Sequence, residues 1–201
     1  MVVCHEKKCI FIHIPKTAGT SIEQFLREKN KNDLEFIGLK NNRSMQHYRA
    51  IELKIQLGYI FNLYYKFSII RNPYDRLLSE YYWTPIPNVG YKYGKTKFEF
   101  LNYVTDVIKN NKIFENKYND HFIPQYLFLY QGKKLLVDQI FKYEDLEWVE
   151  NYLKKKLNID NNLPFLNKSK LNIEKEDWNP RQKERIYKLY KPDFLIFNYE
   201  K

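Results

Sequence analysis

The stretch Ile10-Phe11-Ile12-His13-Ile14-Pro15-Lys16-Thr17-Ala18-Gly19-Thr20-Ser21 decides the fold of this chain. Its apolar first part is rich in β-favouring residues and predicts a short strand that is buried on both faces. Pro15 ends that strand, and Gly19 permits an unusual backbone turn. Thr20 or Ser21 can then cap a helix. The stretch therefore predicts a buried strand, a tight loop and the start of a helix.

The loop within this stretch is suited to bind an anionic phosphate. The N-terminus of the following helix directs free N–H groups and a partial positive charge at the loop. Lys16 adds a mobile full charge, and Thr17, Thr20 and Ser21 add hydroxyl donors. The nucleotide-triphosphate loop G-x-x-x-x-G-K-[ST] does not match, because the lysine here precedes the only glycine. An ordinary strand-to-helix turn with an exposed lysine is the alternative interpretation.

The order Pro-Lys-Thr-x-Gly-Thr-Ser resembles the 5′-phosphosulfate loop of the sulfotransferases, chiefly the carbohydrate (heparan and uronosyl 2-O-like) branch. Those enzymes use 3′-phosphoadenosine-5′-phosphosulfate (PAPS) and release 3′,5′-adenosine bisphosphate. The resemblance implies that Lys16 also assists the transfer, and that a second site holds the 3′-phosphate. The residues implied to bind the nucleotide here are Pro15, Lys16, Thr17, Ala18, Gly19, Thr20 and Ser21.

A second anion site is predicted after the next strand. Arg71 follows an apolar run at 65–70, and Ser79 lies eight residues further on, in a predicted helix. The family holds the 3′-phosphate with an arginine and a serine at this spacing, and a guanidinium can fork onto phosphate oxygens. A structural salt bridge is the alternative for Arg71. Arg76 is expected to brace the helix through ion pairs, and Lys168 lies in a segment that resembles a family loop near the nucleotide.

Sulfuryl transfer needs a base for the acceptor hydroxyl but neither a protein nucleophile nor a metal. Histidine suits this task because its pKa lies near neutral pH. His47 resembles the histidine base of the uronosyl 2-O-sulfotransferases in its distance before the 3′-phosphate arginine, although a lone surface histidine is the alternative. His121 and Gln125 belong to a His-x-x-Pro-Gln pattern that recurs near the acceptor cleft, so His121 is predicted to position the acceptor first and to act as base second. Glu23 and Glu52 are weaker base candidates.

The pattern along the chain alternates strands with helices, as a parallel α/β sheet does. We expect a three-layer, P-loop-like α/β fold with a central, mostly parallel sheet, in a single domain over residues 1–201. Beyond the opening stretch, the predicted strands are 34–37, 65–70 and 135–143. The predicted helices are 44–57, with His47 in its first turn and Ile55 on its buried stripe, 74–83, 96–110, 144–157 and 179–190.

Composition limits the remaining choices. The chain has 201 residues with 44% apolar and 29% charged residues, which is typical of a folded protein. A net charge of +10 suits an anionic ligand but cannot name one. No apolar run approaches the roughly 20 residues that a membrane span needs, so we expect a soluble protein, with a trimmed Golgi-type enzyme as the alternative.

The two cysteines give no disulfide framework, which favours a reducing, cytoplasmic location. Cys4, His5, Cys9 and His13 could be imagined as a metal cluster. However, His13 lies in the predicted strand and no second ligand pair with zinc spacing follows, so no metal site is predicted.

Together these observations predict a PAPS-dependent sulfotransferase that acts on a hydroxyl group, most readily that of a carbohydrate. A phosphoryl-transferring kinase is a second hypothesis, but its glycine pattern is missing and no apolar strand ends in aspartate. A basic polyanion-binding protein is a third. Nucleic acid is not an expected partner, because the basic residues are spread along the chain.

Overall fold

Residues 2–27, 34–35, 47–83, 85–86, 90–91, 93–116, 118–164 and 177–201 are described by the computed structural model of the chain. The side chains of 34–35, 85–86 and 90–91 are outside this description. The chain divides into a first unit, Met1–Arg71 with Leu127–Leu166, and a second unit, Asn72–Tyr126 with Asn167–Lys201.

The secondary structure alternates between strands and helices, as the sequence predicts. The strands are β1 Val2–Cys4, β2 Cys9–Ile12, β3 Leu34–Glu35, β4 Tyr65–Ile70, β5 Pro85–Ile86, β6 Gly90–Tyr91, β7 Tyr130–Gln131, β8 Lys134–Leu135 and β9 Gln139–Lys142. The helices are α1 Gly19–Leu26, α2 Ala50–Leu57, α3 Tyr59–Leu63, α4 Pro73–Trp83, α5 Lys97–Lys109, α6 Tyr126–Leu129, α7 Leu146–Leu157 and α8 Pro180–Ile196. No helix in the described ranges has the length and apolar content that crossing a membrane requires.

The first unit is built on a five-stranded sheet with the order β3-β1-β2-β4-β9. Strand β4 pairs in parallel with β2 and with β9, whereas β1 pairs antiparallel with both β2 and β3. Only β1 therefore runs against the other four strands. The predicted α/β class, with a central, mostly parallel sheet flanked by helices, is confirmed.

Strand β2 is covered on both faces, as its apolar sequence predicts. Cys9 and Phe11 belong to a buried cluster that includes side chains of α1 and α7. Ile10 and Ile12 alternate with them and are fully buried, so they lie on the other face of the sheet. The strand ends at Ile12, two residues earlier than the apolar run suggests.

Several predicted boundaries are wrong for local reasons. The strand predicted at 135–143 is reduced to β9, because residues 134–135 pair with β7 in a separate hairpin. Helix α2 begins at Ala50 and not at Ser44, which lies outside the described residues. Glu52 fixes this start by accepting the backbone N–H of Arg49 at 2.8 Å. Ile55 is not on a buried stripe, since 76% of it is exposed.

The second unit packs α4, α5 and α8 around an aromatic cluster that includes Phe100, Phe122 and Trp178. The predicted capping box of α5 is confirmed, because the Thr96 hydroxyl accepts the Glu99 N–H at 3.2 Å and Glu99 accepts the Thr96 N–H at 3.1 Å.

Helix α8 begins at its predicted Asn-Pro cap but continues beyond its predicted end at Tyr190. Tyr190 has non-helical backbone angles, φ −114° and ψ 21°, and marks a kink. Beyond it, Asp193 accepts the backbone N–H groups of Gln125 and Tyr126 at 2.7 and 2.9 Å. Burial raises the pKa of Asp193 to about 6, although Arg76 and these two N–H groups act in the opposite direction.

Candidate functional site

The loop of residues 13–18, here the Lys16 loop, joins β2 to α1 through two left-handed residues. Lys16 and Ala18 both have a φ of 68°, a conformation that costs an L-residue roughly 1–2 kcal/mol. Ala18 is the N-cap of α1 and makes no side-chain capping bond. The predicted capping by Thr20 or Ser21 is therefore wrong, because both lie inside the first turn. The unusual backbone predicted at Gly19 lies instead at the residues before it.

Three contacts hold this loop. The Thr17 hydroxyl donates to the Ile14 carbonyl at 2.8 Å, within the loop itself. The Arg71 guanidinium donates through Nη1 to the Lys16 carbonyl at 3.3 Å. The His13 ring lies against Gly19 so closely that a Cβ there would be 1.8 Å from Nε2. Because Thr17 uses its only hydroxyl proton in the loop, a phosphate contact by Thr17 would use its backbone N–H.

Arg71 and the Lys16 loop lie at one edge of the sheet. The loop follows β2, Arg71 follows β4, and the two strands are parallel neighbours. The guanidinium carbon of Arg71 also lies 4.1 Å from the centre of the Tyr143 ring, which orients it by a cation–π contact. The edge thus combines a lysine, an arginine and the N-terminus of α1, a donor set that fits a phosphate. Their binding of a nucleotide stays a prediction.

The remaining residues of the Lys16 loop and of the first turn of α1 differ in exposure. Pro15 is buried and has no N–H, so it contributes shape and not a hydrogen bond. Ser21 is 5% exposed, whereas Thr20 is exposed to solvent. Thr20 is therefore the first-turn hydroxyl that is open to a ligand on the surface of this unit.

A buried ion pair lies directly behind the loop. His13 Nδ1 and Glu23 Oε1 are 2.9 Å apart, and their side chains are 5% and 6% exposed. Burial raises the pKa of Glu23, but the hydrogen bond and charge of His13 outweigh burial and lower it to about 2. The pair therefore ties the end of β2 to α1 and holds the ring that faces Gly19. Glu23, a weaker base candidate, is occupied in this pair.

This pair predicts an acid-sensitive contribution to stability. A carboxyl whose pKa falls from 4.5 in the unfolded chain to about 2 in the folded one stabilises the fold above the higher value. That contribution, about 3 kcal/mol at neutral pH, is lost as the pH falls from 4.5 through 2. The difference in unfolding free energy between wild type and Glu23→Gln should therefore shrink by about 2 kcal/mol between pH 6 and pH 3 in urea titrations. A difference that is the same at both pH values would contradict the assignment.

His47 lies beside this pair but not in the predicted place. It precedes α2 instead of lying in the first helical turn, and it is half-buried. Its ring meets the His13 ring edge to face, with 4.9 Å between centroids. The structure therefore brings the predicted base close to the start of the Lys16 loop. Its catalytic role stays a prediction. Glu52, the other weaker candidate, pairs with Arg49 at 3.2 Å.

The other predicted site residues belong to the second unit. Ser79 is half-buried in α4, and His121 lies in the 3₁₀ turn Asn119–Phe122. Gln125 is fully buried, and both its backbone N–H and its side chain bond to Asp193, which favours a structural role for it. Lys168 lies outside the described residues.

Arg76 acts electrostatically on the buried Asp193, whose pKa it lowers against the effect of burial, and it also contacts backbone and aromatic groups. Its Nη2 donates to the backbone carbonyls of His121 and Ile123, and its guanidinium carbon lies 5.9 Å from the centre of the Tyr190 ring. Arg76 thus braces the turn that carries His121.

Sequence reasoning missed the two carboxylate partners of the buried histidines. Glu23 pairs with His13, and Glu80 pairs with His121 at 2.9 Å. A histidine among apolar residues in the sequence signals that a buried polar partner is needed, but the identity of that partner depends on tertiary packing. Two members of the imagined metal cluster bond to residues outside it, since His5 bonds to Tyr64 at 2.8 Å and His13 pairs with Glu23, whereas Cys4 and Cys9 share a hydrogen bond with each other.

Comparison with known proteins finds carbohydrate sulfotransferases among the relatives of this chain. A carbohydrate sulfotransferase 11 from Rattus norvegicus is 24% identical over 240 residues, covering 99% of this chain and 66% of the relative. A carbohydrate sulfotransferase 10 from Gallus gallus is 24% identical over 243 residues, covering 98% of this chain and 65% of the relative. The chain thus spans just under two thirds of the length of these curated relatives, and no solved structure matches it significantly. The sulfotransferase family model matches residues 1–200, so the chain belongs to the sulfotransferase family.

Proposed function

We propose that this protein transfers the sulfuryl group of PAPS to a hydroxyl group of an acceptor, in the first place a carbohydrate. The observation that carries this proposal is the position of the Arg71 guanidinium, 3.3 Å from the carbonyl of Lys16 at the edge where β2 and β4 end. Two cationic side chains beside one helix N-terminus suit a doubly phosphorylated adenosine. The family membership and the names of the two relatives support the same activity and a carbohydrate acceptor.

The Lys16 loop and the first turn of α1 would hold the 5′ end of the donor. Gly19 allows the backbone to approach a ligand, and Lys16 brings a positive charge to the same place. Arg71, with Ser79 and Lys168 as predicted from the sequence, would hold the 3′-phosphate. When bound, the donor supplies the sulfuryl group, whose bond to a phosphate oxygen breaks as the acceptor oxygen forms its new S–O bond. Lys16 then stabilises the negative charge that grows on the leaving phosphate.

His47 would take the proton of the acceptor hydroxyl, and His121 would position the acceptor. An imidazole suits the first task because it can accept a proton near neutral pH. The proposed mechanism uses neither a protein nucleophile nor a metal ion. We further propose that residues 1–201 act as one sulfotransferase domain.

Thermal shift measurements test the donor and separate the alternatives. Stabilisation by 3′,5′-adenosine bisphosphate without magnesium supports the proposal. Stabilisation by ATP with magnesium alone would indicate a kinase. No response to either nucleotide, with salt-sensitive binding of heparin, would indicate a polyanion-binding protein. A screen with ³⁵S-labelled PAPS over a panel of p-nitrophenyl glycosides then tests the acceptor class.

Replacing Arg71 by alanine should weaken donor binding more than it slows the bound-state reaction. Hydrogen bonds to a charged group contribute about 1.5–3 kcal/mol, so the Kd for 3′,5′-adenosine bisphosphate should rise roughly 10- to 100-fold. Isothermal titration measures this directly. Arg71→Lys is the matched control, because it keeps the charge but loses the planar fork, and its Kd should lie between the two. An unchanged Kd in Arg71→Ala would remove the 3′-phosphate assignment.

A further inference from the structure

The second unit buries charged groups inside an apolar cluster. Glu80 is 1% exposed and His121 is 6% exposed, and Arg76 is 2% exposed. Arg76 and Glu80 lie on α4, which carries Leu77 of the aromatic cluster, and His121 directly precedes Phe122 of the same cluster. Burying a carboxylate costs free energy that pairing with a partner offsets only in part. Proteins in which apolar residues of similar size replace such a pair are often as stable or more stable. A fully buried carboxylate–imidazole pair is therefore a candidate for a functional group.

The ring of His121 is fixed in orientation by its neighbours. Its Nδ1 lies 2.9 Å from Glu80 Oε2. The rings of Trp83 and Tyr118 pack against it, with centroid distances of 5.5 and 5.3 Å. Rotation of the ring would break the bond to Glu80 and displace both aromatic side chains.

The backbone that carries His121 is fixed as well. Arg76 Nη2 donates to the carbonyl of His121 and, at 2.8 Å, to the carbonyl of Ile123. Arg76 and Glu80 are one helical turn apart on α4, so one helix holds both the backbone and the ring of His121. A side chain that only fills space does not need both its ring and its backbone held in this way. A side chain that must contact a substrate does need such support, which favours a functional role for His121.

The bond to Glu80 also determines the tautomer. A carboxylate can only accept a hydrogen bond, so Nδ1 of His121 carries the proton. In the neutral ring Nε2 then holds the lone pair, which can accept the hydrogen bond of a hydroxyl group.

We propose that Glu80 is a positioning residue that holds His121 with Nε2 directed to a hydroxyl group of the acceptor. This inference rests on the sulfuryl-transfer function proposed above and assigns the acceptor side of that reaction to a pair on α4 and the 3₁₀ turn. His121 makes the contact, and Glu80 acts through it. Loss of the Glu80 charge therefore weakens acceptor binding and leaves donor binding unchanged.

Kinetics of Glu80→Gln test this separation. The glutamine amide has the shape of the glutamate side chain but lacks the charge that fixes the tautomer of His121. We therefore expect the KM for a p-nitrophenyl glycoside from the screen to rise about 10-fold. That change corresponds to about 1.4 kcal/mol of acceptor binding. The donor Kd and kcat should stay within about twofold of the wild-type values. The lost contact binds the acceptor equally in the ground state and in the transition state, so its loss raises KM alone. Glu80→Asp keeps the carboxylate and should recover part of the acceptor KM. An acceptor KM equal to that of wild type, or a donor Kd that rises equally, would overturn the proposal.

The second buried pair provides a matched control. Glu23→Gln removes the same carboxylate from His13, whose Nδ1 is also 2.9 Å from its partner. That pair lies behind the Lys16 loop, so Glu23→Gln should raise the donor Kd and leave the acceptor KM unchanged. Parallel effects of the two variants on both substrates would show that the pairs only stabilise the fold, and would also overturn the proposal.

A spectroscopic measurement needs neither substrate. In ¹⁵N-labelled protein, long-range ¹H–¹⁵N spectra should show His121 protonated at Nδ1 in wild type and no longer fixed there in Glu80→Gln. A proton on Nε2 in wild type would refute the inference. The outcome is independent of the proposed activity, which fails separately if 3′,5′-adenosine bisphosphate does not stabilise the wild-type protein.

Discussion

Replacing Gly19 by alanine is expected to reduce donor affinity by about 100-fold, at the upper end of the 1–3 kcal/mol that overpacking costs. A Cβ at this position would lie 1.8 Å from Nε2, 2.0 Å from Cδ2 and 2.3 Å from Cε1 of His13. The ring cannot yield easily, because Nδ1 is held by Glu23 and both side chains are buried. The loop or the first turn of α1 must move instead, and this would displace the N–H groups that we propose to bind the phosphate.

Titration of 3′,5′-adenosine bisphosphate into Gly19→Ala measures this effect. Gly58→Ala is the matched control, because Gly58 has a φ of +53° but no atom of the described residues lies within 4 Å of a Cβ at that position. That substitution strains the backbone by about 1–3 kcal/mol, because Gly58 has a φ of 53° with a ψ of −119°, and it should leave donor binding unchanged.

The double variant His13→Ala/Gly19→Ala removes the ring that causes the clash. It should recover donor binding in part, although it leaves Glu23 buried without its imidazole and so lowers stability. If Gly19→Ala alone binds the nucleotide as well as wild type, the Lys16 loop is not the donor site.

The sheet and its helices were predictable because local patterns determine them. The apolar runs of β2 and β4 bury both strand faces, and the caps at Thr96 and Asn179 begin α5 and α8 where the sequence places them. Strand β1 was not predicted, since three residues are too few for a period to be recognised. The continuation of α8 beyond Tyr190 was also missed, because Asp193 anchors it through residues distant in the sequence.

The sequence indicates which residues form the proposed donor site, but it does not indicate their conformations or the side chains that support them. A glycine in a loop usually indicates a left-handed conformation at the glycine itself. Here Lys16 and Ala18 adopt that conformation, and Gly19 instead provides space for the His13 ring. The two buried pairs, His13 with Glu23 and His121 with Glu80, join residues ten and forty-one positions apart. Such pairs depend on how helices pack on strands or turns, which side-chain periodicity does not specify.

Replacing Lys16 by alanine is expected to lower kcat roughly 100- to 1000-fold, the usual cost of losing one donor that stabilises charge in the transition state. Lys16 is half-buried in a left-handed conformation, and the Arg71 guanidinium fixes its carbonyl at 3.3 Å. Its backbone is thus held at the edge where the donor is proposed to bind, and its ammonium group carries the charge that would stabilise the leaving phosphate. The donor Kd should change less than kcat, because that charge grows only during the reaction.

Lys8→Ala is a closely matched control for this prediction. Lys8 is also a lysine with a positive φ, 47°, but it lies directly before β2 and not after it. Both substitutions remove one positive charge and keep a Cβ on a backbone with positive φ, so a general effect of charge would appear in both. We expect Lys8→Ala to keep wild-type kcat, measured with ³⁵S-labelled PAPS at saturating acceptor. If Lys16→Ala lowers kcat by less than about threefold, or if the two variants lose kcat equally, Lys16 does not stabilise the leaving group, and the anion site at this edge binds a ligand without assisting its reaction.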